Sequence, residues 1–121
     1  MKKDGAVKNK KHCHKSFAKA VIAGHVVHVK VLDEDAFENG EFARYMSETP
    51  DGPAKILLNE KLFEGSYQER LGRTLWHECF HAWLDLSGWT EVLPQGFEEG
   101  LVKGSDNGVF PAWRLLVEEF E

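Results

Sequence analysis

The chain has 121 residues, of which 42% are hydrophobic and 29% charged, and a net charge of −5. That length buries one core and excludes two sizeable domains, and no apolar run approaches the ~20 residues of a membrane span. The net figure conceals an asymmetry: residues 1–20 carry seven Lys and one acid, +6, whereas residues 21–121 carry eight basic and nineteen acidic residues, −11.

The opening MKKDGAVKNKKHCHK is basic but has no apolar segment behind it, so it does not read as a secretory signal, and a cytoplasmic protein is expected. Residues 1–19 read as a flexible basic arm, and residues 20–121 as the folded domain. The acidic body argues against extended nucleic-acid binding and leaves only weak contact through the arm. His12, Cys13 and His14 are potential metal ligands, but three in succession on a flexible leader do not easily close a tetrahedron. Cys13 and Cys79, one in the arm and one mid-helix, read as free thiols in a reducing compartment.

From Ala20 to Leu32 the chain is rich in β-branched residues, with Val27, Val29 and Val31 alternating with His28 and Lys30, the period of a half-buried strand. His25 and His28 are then ordinary strand residues. A hairpin follows, Phe42 to Ser47 and Lys55 to Asn59 around a turn at Pro50, Asp51, Gly52 and Pro53. These segments predict a small, mostly antiparallel sheet. Ser66 with Glu69 forms a capping-box pattern, which predicts a long helix beginning near Ser66 or Tyr67, and Gly88 supplies its stop. A second helix is expected from about Phe97 and a third at Pro111, a first-turn proline. Strands first and helices after give an α+β fold.

Within the long helix, HECFH is an instance of H-E-x-x-H. A helix turns about 100° per residue, so His77 and His81 lie ~40° apart and aim at one point, as two legs of a Zn²⁺ site require. Glu78 is displaced too far to join them, yet stands close enough to hold a water as general base. Chance alone places such a pattern in a chain of this composition about 3% of the time, so its surroundings have to decide. With Leu71 at zero, Leu71, Leu75, Cys79, Ala82 and Leu86 fall within roughly 0–80° and the histidines near 240° and 280°, off the core stripe. The competing reading is a solvated surface pair. Trp76, Phe80 and Trp83 fill the sector between and would restrict water on one flank.

A hydrolytic zinc site needs a third protein ligand. Asp85 lies two turns from His77 and cannot converge with both histidines; it reads as a support behind the site or as a solvated carboxylate. GFEEGLVKG offers Glu98 and Glu99 instead, and Glu98 shares a helical face with Leu101 and Val102. No spacing singles out a transition-state stabiliser among His25, His28, Tyr45, Tyr67 and Arg114.

HECFH, the following DLSGW and then FEEGLV resemble the glutamate zincins, or gluzincins. The order of elements is similar to short phage-encoded metalloproteases near the ImmA/IrrE group, from about Ala20 to the C-terminus. The resemblance implies a minimal zincin-like metallopeptidase, its small sheet packed on an active-site helix and a glutamate-bearing helix. It implies one Zn²⁺ held by His77, His81 and Glu99, with Glu98 as the rival for the third place. It further implies that Glu78 shuttles the proton during hydrolysis of a peptide or protein substrate. An extended substrate is expected to add to a hairpin edge around Ala54 to Asn59, in the host cytoplasm if the chain is phage-encoded. The alternatives are a non-catalytic zinc-binding regulatory or scaffold protein, and a partner-binding module working through the basic arm.

Overall fold

The computed structural model describes residues 16–120, and His12, Cys13 and His14 lie outside them. The first β-rich segment folds as two strands, β1 (Ser16–Ile22) and β2 (His25–Leu32), rather than the single strand expected from Ala20. Ala23 and Gly24 both take positive φ, 53° and 82°, so two residues reverse the chain and set Ile22 opposite His25. Ala-Gly lacks the Asn or Asp that usually marks such a turn. β1 also begins four residues inside the segment read as the arm.

β3 (Ala43–Met46) and β4 (Ala54–Asn59) form the expected antiparallel hairpin, its turn closed by a bridge between Thr49 and Gly52. On its other side β4 pairs with β2 in parallel, giving a mixed four-stranded sheet in the order β1-β2-β4-β3. Two of the three pairings are antiparallel, and the parallel one corrects the location of the edge. Ala54 to Asn59 is an inner strand, with Ala54, Ile56 and Leu58 buried; the edge beside the helices is β3. A strand carrying Ile56, Leu57 and Leu58 in a row is apolar on both faces, which suits the interior of a sheet better than its border.

α1 (Gln68–Leu86) crosses one face of the sheet. Leu71, Leu75, Cys79 and Leu86 pack on Val27, Val31, Ala54, Ile56, Leu58 and Leu62, as the apolar stripe predicts. The helix begins at Gln68, within a residue of the expected start, but a 3₁₀ turn over Gly65–Tyr67 runs into it and no side chain caps that end. The stop is as expected, with Gly88 in the left-handed region at φ 89°.

A single turn, Trp89–Val92, leads to α2 (Phe97–Gly104). The break expected before Pro111 is instead a π-helical turn, Ser105–Val109, running directly into α3 (Phe110–Phe120). Gly104, Ser105 and Phe110 all keep right-handed helical backbone, so residues 97–120 are one rod with a wide turn in it. The rod lies close against α1: a Cβ on Gly72 would stand 3.2 Å from Phe110 Cζ, and Trp76 packs on Phe110 and Trp113 at centroid distances of 5.3 and 5.5 Å. Among the described residues no helix is long and apolar enough to cross a membrane.

Candidate metal centre

The helical spacing of His77 and His81 brings their rings to a centroid separation of 4.8 Å, off the apolar stripe of α1 and on the flank that borders β3. Each ring is held at Nδ1 by its own carboxylate. His77 Nδ1 lies 2.6 Å from Asp106 Oδ2, and His81 Nδ1 lies 2.7 Å from Glu98 Oε2. An ionised carboxylate can only accept, so in each neutral ring Nδ1 carries the hydrogen and Nε2 keeps its lone pair. Carboxylates behind metal-ligating histidines work this way: they orient the ring and raise its basicity.

Glu98 and Glu99 open α2, where the helix dipole favours negative charge. Adjacent helical positions diverge by about 100°, and here the two carboxylates take opposite edges of one imidazole. Glu98 is engaged at both oxygens, because Oε1 accepts from Thr90 Oγ1 at 2.8 Å. Glu99 Oε1 stands 3.1 Å from His81 Nε2. One ligand atom from each of His77, His81 and Glu99 falls within a 4.8 Å cluster, so these three residues could hold a metal ion. Two imidazole nitrogens and one carboxylate oxygen are a donor set that suits Zn²⁺. Glu98 is placed behind His81 instead.

Asp106 is the residue that the sequence reading missed. It is buried, and its Oδ1 has no hydrogen-bond partner among the described residues. The π turn puts it there. Phe110 N–H donates to Ser105 carbonyl, five residues back, but Pro111 has no N–H to continue that series to the Asp106 carbonyl, which accepts from Arg73 Nη1 at 3.3 Å instead. Ser105 Oγ accepts from Trp76 Nε1 at 2.7 Å and Asn107 Oδ1 accepts from Arg73 Nη1 at 2.9 Å, so the turn is tied to α1 on both sides of Asp106. A signal was present: Asp106 lies seven residues after Glu99, two helical turns on, and shares its face if the helix runs on past Gly104.

Two cavities flank the centre along β3. The larger, about 660 Å³, is lined by Phe42, Arg70, Arg73, His77 and Arg114, and the smaller, about 360 Å³, by Tyr45, His81, Asp85 and Thr90. Ala43 and Glu78 line both, so Glu78 stands where the two meet. Burial raises the Glu78 carboxyl above the usual range; the two histidines oppose that shift, and Glu99 and Glu41 add to it. A carboxyl shifted in that direction is suited to taking and returning a proton near neutral pH.

Asp85 accepts from the Tyr45 hydroxyl at 2.7 Å, which leaves it neither ligating nor merely solvated. Burial first, then this hydrogen bond, raises the Tyr45 phenol well above its ordinary value. Of the candidate stabilisers, Tyr45 and Arg114 line the cavities; His25, paired with Glu48 at 2.8 Å, His28 and Tyr67 line neither. The aromatic sector divides its work: Trp76 anchors the C-terminal rod, whereas Phe80 and Trp83 stack on each other at 5.8 Å.

No family model, no curated protein and no solved structure matches the chain. The functional reading therefore rests on the geometry of this centre.

Proposed function

We propose that the protein is a minimal zincin-like, zinc-dependent metallopeptidase of the cytoplasm, holding one Zn²⁺ per chain through His77, His81 and Glu99. The observation that carries this reading is the pairing of each histidine Nδ1 with a separate carboxylate, Asp106 and Glu98, beside a third carboxylate on the Nε2 side. A chance pair of surface histidines has no reason to acquire two such partners and a convergent third group. Bound zinc supplies Lewis acidity, which acidifies a water and polarises a substrate carbonyl.

The remaining work falls to residues of the chain. The Glu78 carboxylate takes a proton from the attacking water, the C–N bond breaks as the carbonyl carbon gains the oxygen, and Glu78 returns the proton to the leaving nitrogen. Glu98 and Asp106 keep the imidazoles aligned. Substrate lies extended along the outer edge of β3, where backbone groups suffice for strand addition. This replaces the β4 edge expected from the sequence. Tyr45 lines the same cavity as Glu78 and His81, and its hydroxyl would meet developing negative charge by exchanging its hydrogen bond to Asp85 for one to the substrate oxygen.

A non-catalytic zinc domain is the second reading. The partly buried Glu78 at the junction of two open cavities favours catalysis over it, because a structural site has no use for a base beside its ligands. Elemental analysis with a peptide-library cleavage assay separates the two. One zinc per chain is expected in wild type and in Glu78→Gln, with cleavage reduced about 10²–10⁴-fold in the variant, and weakened zinc in Glu99→Gln. Zinc without cleavage in wild type selects the non-catalytic reading; no zinc at all defeats both.

A further inference from the structure

The two cavities differ in charge. Three of the four arginines in the chain, Arg70, Arg73 and Arg114, line the larger one. They converge from two elements of an otherwise acidic body, in which residues 21–121 sum to −11. Arg70 lies over the Phe42 ring at 4.9 Å, and Arg73 donates to the Asp106 carbonyl and the Asn107 side-chain oxygen, both neutral acceptors. Among the described residues no carboxylate lies within ion-pairing distance of Arg70 or Arg73, and Arg114 has only Glu118 at 3.7 Å, one turn along its own exposed helix face. The acids that share the cavity are placed otherwise: Asp106 is turned to His77, Glu78 stands at the junction, and Glu69 pairs with neither arginine.

The smaller cavity has the opposite character. Asp85 and Glu98 line it, and its one arginine, Arg44, is already held by Glu41 at 2.6 and 3.0 Å. β3 spans both cavities, Ala43 lining the two and Tyr45 the smaller. A peptide laid along this edge therefore meets guanidinium groups on one side of Glu78, two of them without a carboxylate partner among the described residues, and carboxylates on the other.

We propose that the arginine-lined cavity is a specificity pocket that recognises an acidic side chain, Asp or Glu, on one side of the cleaved bond. This rests on the metallopeptidase reading. Guanidinium matches carboxylate through two parallel N–H donors, and although Arg70, Arg73 and Arg114 are each exposed, three gathered around one cleft act together where a single surface arginine contributes little. In a body of net negative charge, long-range attraction does not draw an acidic peptide in, so selection operates at contact distance, within a Debye length of about 8 Å. The carboxylates of the smaller cavity strengthen the discrimination by repelling an acid placed there.

The test uses one peptide scaffold with Glu, Gln or Lys at each position flanking the scissile bond, offered to zinc-loaded wild type, Arg70→Ala and Arg114→Ala. Arg73 is left alone because it also ties down the π turn. On one side only, Glu is expected to exceed Gln by about tenfold or more in kcat/KM, the scale of a hydrogen bond to a charged group, and Arg70→Ala should collapse that ratio while retaining its zinc. Equal cleavage of the Glu and Gln peptides, or a preference that survives both arginine variants, overturns the inference and leaves the peptidase reading standing. Absence of all cleavage by zinc-loaded wild type defeats the peptidase reading; fluorescence-anisotropy binding of the same peptides then judges the pocket. Tighter Glu-peptide binding that Arg70→Ala abolishes supports the pocket, and equal binding of Glu and Gln peptides rejects it.

Discussion

The face of α1 that meets the sheet and the face that meets the C-terminal rod are made of different chemistry. Toward the sheet, Leu71, Leu75, Cys79 and Leu86 close a core of Val27, Ile56, Leu58 and Leu62, contacts that are apolar and non-directional. Toward the rod, Arg73, His77 and His81 meet Asp106, Asn107 and Glu98 through hydrogen bonds of defined geometry, and Glu99 stands 3.1 Å from His81 Nε2. The first face supplies stability that depends on volume and shape. The second holds carboxylates partly out of water, at a cost that the facing histidines offset through hydrogen bonds. A single helix thus separates the part of the protein that makes it fold from the part that would make it act.

The widest breach of that separation should come from Ile56→Ala, which removes a fully buried side chain of the inner strand. It is expected to cost about 2–5 kcal/mol in urea unfolding while the folded variant binds zinc as wild type does; weakened zinc binding in the folded variant would show that the two faces are coupled. Chelation attacks the other face. Removing zinc from a sample in which free zinc stood a thousandfold above Kd should lower stability by about 4 kcal/mol, with the far-ultraviolet spectrum preserved because the sheet core does not involve the site. Loss of the fold on chelation would mean that the metal face is needed for folding too.

Within the second face, Asp106 and Glu98 play matching parts from different elements. Asp106→Ala and Glu98→Ala should each weaken zinc binding about 10–100-fold, measured by competition with a chromophoric chelator. Asp106 should have the larger effect, since its side chain is the less exposed, 12% against 25%. A smaller effect sharpens the picture at β3. Tyr45 has its phenol raised by burial and by donation to Asp85, so the stability it contributes is fully present below about pH 10 and is lost as pH rises beyond that toward its folded value. Wild type should therefore lose stability above pH 10 more steeply than Tyr45→Phe. Parallel curves would place that hydrogen bond outside the energetics of folding.

Much of the candidate site was legible because it depends on short-range geometry. The stripe of α1, the convergence of His77 and His81, the stop at Gly88 and the β3–β4 hairpin all follow from helix periodicity or local turn chemistry, whose range is a few residues. The capping box at Ser66 and Glu69 met a local pattern and still failed, since a 3₁₀ turn had already taken up the helix entry. Glu98 and Glu99 were legible as a pair but not as individuals. Their division follows from how α2 sits against His81 and from Thr90, which occupies the second oxygen of Glu98.

What the sequence determined by itself is the long helix, its apolar stripe and the convergence of His77 and His81, because an i, i+4 relation needs no other part of the chain. Tertiary structure alone decided that β4 lies inside the sheet and β3 at its edge, through a parallel pairing between strands separated by the β3 hairpin. It alone decided that Asp106, twenty-nine residues from His77, turns to that ring from a π turn. Such partners are chosen by packing between distant segments, and a carboxylate in sequence carries no mark of which histidine it will meet.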